Sequence, residues 1–357
     1  MVGDDGWRAQ ICADAGDGPR VEQSNLGQTE LPVDGRSPLV GDSAMTAPFF
    51  GFHIPNFSFP GIAPADLFDR VAELAVAAES AGFDMVTVMD HFYQIPMTGP
   101  ETEPMLEAYT TLGALSQRTN HIFLSALVTG VTYRNPALLA KQVTTLDTLS
   151  RGRAILGIGA AWNESEHRGY GFDFPPVGRR MDRLEEALRI AKAMFTEDRP
   201  SFSGRYYQID RALNVPRPLQ PGGPRILVGG GGEQRTLRLV ARYADISNWF
   251  GSVDDMRRKG EILERYCAEE GRDPSEILRT AMAQVLLVTS ERDTAAVIRG
   301  IPPERLQLLG DPATPEQAAE RLAPYVEAGI GGFTFANANL HTPELIAAAG
   351  ELKRLLR

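Results

Sequence analysis

Short apolar runs alternate with helical patterns along most of this chain, and this alternation constrains the fold more than any other feature. From Phe49 onward the runs are continuously apolar, without regular polar interruptions. Strands that are covered on both faces in a parallel sheet have this pattern. The predicted strands are Phe49–Ile54, Met85–Met89, Ile122–Val128, Arg153–Ile158, Arg225–Val228, Ala244–Trp249, Ala281–Thr289 and Gly332–Phe335.

Amphipathic helices are predicted in the intervals between these runs. Asn135 followed by Pro136, for example, is typical of the cap and first turn of a helix, here one that runs to Leu149. Eight strands alternating with eight helices predict an α/β fold, a closed (β/α)8 TIM barrel. A doubly wound open sheet is the rival, although it usually needs fewer units. The proline-rich stretch 200–224 has no helical pattern and is predicted to be an insertion before the fifth strand.

Residues 1–44 differ from the rest of the chain. They carry many more acidic than basic side chains and show no apolar periodicity. Such a segment buries too little apolar surface to offset its ordering entropy, so we predict a disordered acidic tail. The barrel is predicted over residues 45–357.

Composition excludes several classes of function. The chain has 36 basic and 46 acidic side chains, a formal net charge of −10, which argues against a nucleic-acid partner. Neither Cys12 nor Cys267 has a CxxC neighbour, which argues against a disulfide framework or a cysteine-built zinc site. No apolar run is long enough to span a membrane, and no signal-peptide pattern opens the chain. A cytoplasmic location is therefore expected.

Chemistry in such a barrel collects where strands end, and the second predicted strand is followed by Asp90 and His91. Histidine suits proton transfer because its ordinary pKa lies near neutrality. The alternative is structural: Asp90 caps a turn and His91 satisfies a backbone carbonyl. The pattern alone leaves both interpretations open.

The fourth predicted strand leads into a glycine-containing segment with Trp162, which could line a pocket for a flat ligand. Glu164, Glu166 and His167 follow, but no HExxH spacing occurs. We therefore interpret these three as the solvated first turn of a helix and predict no metal.

The fifth predicted strand is followed by four glycines, 229–232, and then by a helix. Such a loop can offer free N–H groups to a phosphate, or it can simply be a tight turn. The Lys-Ser/Thr of a nucleotide P-loop is absent. Arg134 could pair with a phosphate, but an isolated arginine more often forms a surface ion pair.

Four stretches in the same order along the chain resemble the luciferase-like monooxygenase superfamily, and specifically its coenzyme F420-dependent oxidoreductase branch. The resemblance covers residues 45–357. The sequences that carry it are MDH at 89–91, NPALLAKQVTTLDTLSRGRAILGIGAAWNE at 135–164, HRGYGFDFPPVGRRMDRLEEAL at 167–188 and ILVGGGGEQRTLRLVARYAD at 226–245.

The resemblance implies a TIM barrel with the cofactor ring over the strand ends, and Asp90 and His91 as the catalytic pair near the reactive carbon, with His91 as the acid/base. It also implies a non-prolyl cis peptide at Ala126–Leu127 and a phosphate loop at Gly229–Gly231. The implied cofactor-binding residues are Asp90, His91, Ala126, Leu127, Thr129, Gly159, Ala160, Ala161, Trp162, Asn163, Val228, Gly229, Gly230 and Gly231.

One departure affects the implied mechanism. Some deazaflavin enzymes of this family carry a proton-donating glutamate just after the fourth strand, where this chain has Trp162, with Glu164 two residues further on. The resemblance still implies hydride transfer between coenzyme F420 and a small-molecule substrate, and a homodimer. An FMN-dependent two-component monooxygenase and a non-catalytic flavin- or deazaflavin-binding protein are the alternatives.

Overall fold

Eight parallel strands form a closed barrel in the computed structural model, which describes residues 47–283, 285–299, 306, 311–336, 340 and 342–356. Each strand pairs with the next one along the chain, and the last pairs with the first. The predicted (β/α)8 TIM barrel is therefore confirmed. The strands are β1 Phe49–Ile54, β2 Met85–Val88, β3 Phe123–Ala126, β4 Ala154–Gly159, β5 Arg225–Gly229, β6 Ile246–Trp249, β7 Leu278–Ala283 and β8 Gly332–Phe335. The acidic segment 1–44 lies outside the described residues.

Several strand boundaries were predicted wrongly. The pairing of β3 ends at Ala126 rather than Val128, and the chain forms a separate short strand at Thr129–Gly130 against β4. β7 occupies 278–283 rather than 281–289, and Leu286–Leu287 pairs instead with Pro312–Ala313. Apolar residues continue past the ends of both strands because they still pack in the core: Leu127 and Val128 are partly buried after β3, and Val285, Leu286, Leu287 and Val288 are buried after β7.

Helices surround the barrel and connect successive strands. Asn135 caps its helix as predicted, since its side-chain oxygen accepts from the N–H groups of Ala137 and Leu138. The described helices are α1 Leu67–Ser80, α2 Ala108–Leu115, α3 Pro136–Ser150, α4 Glu164–Tyr170, α5 Val177–Thr196, α6 Thr236–Tyr243, α7 Val253–Glu270, α8 Thr294–Ile298, α9 Pro315–Glu327 and α10 Pro343–Leu355. Within the described ranges, no helix is long and apolar enough to cross a membrane.

The core has two parts. One fills the inside of the barrel with Phe49, Met85, Ile155, Leu227, Ile246 and Leu278. The other lies between the strands and the helices, where Phe50 and Phe335 pack with ring centroids 4.8 Å apart. The predicted insertion before β5 contains a short hairpin, Phe202–Ser203 with Gln208–Ile209, and Asp147 of α3 holds the end of the insertion by accepting from Gln220.

Candidate active site

The carboxyl ends of the barrel strands all lie at one end of the barrel, because the strands are parallel. Residues that follow β2, β3, β4 and β5 therefore share this end. Contacts join several of them: the ring centroids of His91 and Trp162 are 5.5 Å apart, and Asp90 accepts a hydrogen bond from the N–H of Gly130 at 3.1 Å.

His91 pairs with a carboxylate that the sequence did not assign to it. Its Nδ1 lies 2.8 Å from Oε2 of Glu166, on α4. A carboxylate oxygen accepts, so Nδ1 carries the proton, and in the neutral form of the ring Nε2 is a proton acceptor. Nε2 has no hydrogen-bond partner in the described part of the chain. A carboxylate fixes the tautomer and orientation of the ring in this way in many acid/base sites.

Glu166 is fully buried and its four hydrogen bonds define its position. Oε1 accepts from the N–H groups of Phe92 and Tyr93, at 2.7 and 2.8 Å, and Oε2 accepts from the Tyr133 hydroxyl at 2.8 Å as well as from His91. Burial acts to raise the pKa of Glu166, but the bonds from His91, Tyr93 and Tyr133 outweigh it and lower the pKa below the ordinary value. Glu166 is therefore ionised at neutral pH.

The interpretation of 164–167 as a solvated helical turn was wrong for two of its three residues. Glu164 is exposed and pairs with Arg168, but Glu166 and His167 are both fully buried. His167 donates from Nδ1 to the carbonyl of Asn163 and faces Thr132 with Nε2, each at 2.6 Å. Burial also lowers the pKa of His167. In the described ranges, no three His, Cys, Asp or Glu side chains are grouped so that they could hold a metal ion.

Asp90 is buried and fully engaged by Arg134. The guanidinium donates to both carboxylate oxygens, at 2.7 and 2.9 Å, and also to Glu107 at 2.6 Å. Burial raises the pKa of Asp90, and the two bonds from Arg134 act against this effect. The expectation of a surface ion pair for Arg134 was thus wrong, because only 9% of its side chain is exposed. The pair ties the β2 end to the segment after β3.

The cis peptide lies one residue later than the resemblance implied, at Leu127–Val128 instead of Ala126–Leu127. The N–H of Leu127 still donates to the carbonyl of Val88 on β2, at 2.9 Å. The Ala126–Leu127 peptide therefore continues the extended path of β3, and the cis peptide follows it. A Cβ on Gly159 or on Gly229 would lie 2.8 Å from the side chain of Val128. These two glycines therefore make room for Val128.

The other implied binding residues divide by burial. Ala126, Thr129 and Val228 are buried, and the Thr129 hydroxyl bonds to Tyr109. Partly or largely exposed at the same end of the barrel are Ala160, Ala161, Trp162, Asn163, Gly229, Gly230 and Gly231. Trp162 is 55% exposed although it contacts His91, and Ala161 adopts a φ of 61°. A non-glycine residue in the left-handed region is uncommon and worth attention at a site.

His53 is a packed histidine. It is 6% exposed on β1, and its Nδ1 lies 2.8 Å from the hydroxyl of Thr87 on β2. Burial and the nearby charge of His91 lower the pKa of His53 to about 3. The ring is therefore neutral.

The glycine loop after β5 presents unpaired backbone donors. The N–H of Gly230 donates to the carbonyl of Asn248, but those of Gly231 and Gly232 have no acceptor among the described residues. Helix α6 begins a few residues later, at Thr236. Free N–H groups before a helix are suited to an anion.

A family model described as luciferase-like monooxygenase matches residues 49–301. The chain belongs to the luciferase-like monooxygenase family. An uncharacterized protein of Mycobacterium tuberculosis is 32% identical over 217 residues, which are 57% of this chain and 75% of that protein. The F420-dependent glucose-6-phosphate dehydrogenase of Nocardia farcinica is 31% identical over 297 residues, 74% of this chain and 87% of that protein.

Solved structures share the fold of this luciferase-like family member. An F420-dependent secondary alcohol dehydrogenase in complex with an F420-acetone adduct has a TM-score of 0.71 and 21% identity, over 87% of this chain and 99% of the other. A long-chain alkane monooxygenase has a TM-score of 0.73 and 14% identity, over 87% and 91%. Structural similarity at this level of sequence identity establishes the barrel fold. The reaction has to be inferred from the residues of the site.

Sequence reasoning missed two site residues of this luciferase-like chain. Glu166 was set aside with its neighbours, and Tyr133, its hydroxyl partner, was not considered. One available signal was the spacing of Glu166 and Tyr170, which places an acid and an aromatic ring on one face of a short helix. Tyr170 does stack on Phe92, next to His91 in sequence, with ring centroids 4.5 Å apart.

Proposed function

We propose that this protein is a coenzyme F420-dependent oxidoreductase that transfers a hydride between the deazaflavin and a small organic substrate. The observation that carries the proposal is the imidazole of His91, which Glu166 orients at the carboxyl end of the barrel with Nε2 free. The similarity to the F420-dependent dehydrogenase of Nocardia farcinica supports the choice of cofactor.

The residues present fit a deazaflavin. Trp162 offers an exposed aromatic surface beside His91, which suits a flat ring system. The unpaired N–H groups of Gly231 and Gly232 suit the phosphate of the cofactor side chain. The bound deazaflavin would supply C5 as the atom that accepts or donates the hydride.

His91 would move the proton that accompanies the hydride. In the direction of oxidation, Nε2 accepts the proton of a substrate hydroxyl while the hydride leaves the carbinol carbon, so the substrate becomes a carbonyl compound. The buried carboxylate of Glu166 stabilises the imidazolium that forms. Asp90 acts as a positioning residue, since Arg134 and Gly130 occupy its oxygens.

The first experiment compares cofactors. Purified protein is titrated with oxidised coenzyme F420 and, in parallel, with FMN, and fluorescence follows binding. We expect micromolar or tighter binding of F420 and much weaker binding of FMN. Preference for FMN, with oxygen consumption in the presence of reduced FMN, would favour the two-component monooxygenase. Tight F420 binding without turnover on any donor or acceptor would favour a non-catalytic binding protein.

The second experiment tests His91. Glucose 6-phosphate and secondary alcohols are the first substrates to screen, since the names of the similar proteins point to them. With an active substrate, His91→Ala should retain F420 binding and lose turnover by roughly 100-fold or more. His121→Ala is the matched control, because His121 is exposed and precedes β3 at the opposite end of the barrel. Full turnover by His91→Ala would disprove the assigned role.

We also propose that the enzyme is a cytoplasmic homodimer. The resemblance of the sequence to its family supports both parts. Sedimentation of the purified protein tests the dimer, and fractionation of the source cells tests the location.

A further inference from the structure

Lys259 is a buried cation beside the glycine loop. It belongs to α7, 8% of the residue is exposed, and Nζ donates to the carbonyl of Phe250 at 2.6 Å. Phe250 directly follows β6, so the ammonium lies at the carboxyl end of the barrel. One carbonyl satisfies one of the three N–H groups of an ammonium.

No carboxylate among the described residues pairs directly with this ammonium. The two nearby acids are Asp255 and Glu233, and both pair with Arg258, at 2.7 and 2.8 Å. Among the described residues, no carboxylate oxygen lies within 4.0 Å of the Lys259 ammonium. Burial lowers the pKa of Lys259, and the Coulombic attraction of Asp255 and Glu233 only partly offsets this effect. Buried charges are normally paired, so a buried ammonium without a direct carboxylate partner suits an anion that binds from outside.

The end of the Lys259 side chain lies against the loop itself. A Cβ on Gly231 would lie 2.9 Å from Nζ of Lys259, so nothing larger than a glycine hydrogen separates the two. The same loop holds the unpaired N–H groups of Gly231 and Gly232. Unpaired backbone donors and a buried cation therefore belong to the same loop region, and groups of these two kinds suit the oxygens of a phosphate.

We infer that Lys259 is the cationic contact of the cofactor phosphate, with the Gly231 and Gly232 N–H groups as its backbone donors. The inference rests on the proposed function for the identity of the cofactor, but the phosphate site itself would serve F420 or FMN. The glycine at 231 is then required because a side chain would displace the ammonium from the loop.

The test compares ligands with and without the phosphate. Fluorescence titration measures the Kd of coenzyme F420 and of its phosphate-free deazaflavin precursor, which ends at the ribityl chain. Lys259→Met should weaken F420 binding roughly 10- to 100-fold and leave the precursor unchanged. Lys141→Met is the matched control, since Nζ of Lys141 also donates to a backbone carbonyl, that of Val215, away from the loop. The control should bind both ligands as the wild type does.

Competition by inorganic phosphate distinguishes binding of the cofactor phosphate at Lys259 from binding of the acidic tail of F420. Inorganic phosphate should compete with F420 in the wild type and lose this effect in Lys259→Met. A second variant, Gly231→Ala, reaches the same site from the loop side and should also weaken F420 selectively, which keeps the test valid if Lys259→Met does not fold. Equal losses for F420 and the precursor would overturn the inference, because they would show a structural role.

Failure of the proposed function gives a different result. If the wild type binds neither deazaflavin but binds FMN, the same comparison is made with FMN and riboflavin. A selective loss for FMN in Lys259→Met then upholds the phosphate contact while the F420 proposal falls. An unchanged ratio of FMN to riboflavin affinity would reject Lys259 in that case too.

Discussion

Nδ1 of His91 lies 2.8 Å from Oε2 of Glu166, although 75 residues separate them in the chain. The two come from different connections of the barrel, the segment after β2 and the helix after β4. Glu166 also binds the backbone of Phe92 and Tyr93, so one buried carboxylate orients both the imidazole and the loop that carries it.

Glu166→Gln should lower kcat roughly 10- to 100-fold and leave the Kd of F420 nearly unchanged. The amide loses the negative charge that stabilises the imidazolium, but it keeps the shape of the side chain. Glu164→Gln is the matched control, since Glu164 lies two residues away on the same helix, is exposed and pairs only with Arg168 in the described structure. Steady-state kinetics and cofactor titration measure both. A fall in cofactor affinity with kcat intact would contradict the role.

Asp90→Asn should destabilise the protein by about 3 kcal/mol, because it leaves the buried guanidinium of Arg134 without its bidentate partner. Glu107 still pairs with Arg134, which limits the loss. Asp69→Asn is the control: its pair with Arg118 is exposed, and we expect a change below about 1 kcal/mol. Urea unfolding of the three proteins gives the comparison. Equal effects would show that burial of the Asp90 pair does not matter.

The stability of the protein should fall as pH drops below 6.5, partly because of His53. The folded pKa of His53 is about 3 and its ordinary value is 6.5, so between these values the unfolded chain binds the extra proton. This proton favours unfolding by up to ~1.4 kcal/mol per pH unit. His53→Asn should therefore show a shallower loss of unfolding free energy between pH 6 and pH 4. His121→Asn, at an exposed position, should follow the wild type; identical slopes in all three would refute the assignment.

Trp162→Ala should change the free energy of unfolding by no more than about 0.5 kcal/mol, because more than half of the side chain is exposed. Its loss should nevertheless lower kcat/KM roughly tenfold, since it removes the aromatic surface beside His91. Leu213→Ala, 56% exposed on the insertion, should affect neither quantity. Thermal unfolding and kinetics decide. Unchanged kcat/KM in Trp162→Ala would exclude the residue from the site.

The positions of His91 and Asp90 at the carboxyl end of β2 followed from a local pattern. A continuous apolar run predicts a buried parallel strand, and polar residues directly after it must lie at the barrel end that carries function. The glycines at 229–232 were placed by the same argument. The hydrophobic pattern of a short stretch indicates well which residues are buried. The barrel and its helices were therefore predictable even where strand boundaries were wrong.

The partners of these residues were not predictable. The local sequence predicts a solvated acid in a helical first turn for Glu166 and a surface cation for Arg134. Both predictions use only the residues that are near in sequence. Both side chains are buried by residues that the barrel brings from elsewhere: Glu166 by the β2 loop, and Arg134 by Asp90 and Tyr109.

The sequence by itself determined the barrel, the end at which its functional residues lie, and the family to which the chain is similar, since all three depend on patterns within short stretches. Only the tertiary structure decided which acid serves His91, that Asp90 is held by Arg134, and that Lys259 faces the glycine loop. These pairings depend on the closure of the sheet, which sets distances between residues that are far apart in the chain and leaves no periodic trace in the sequence.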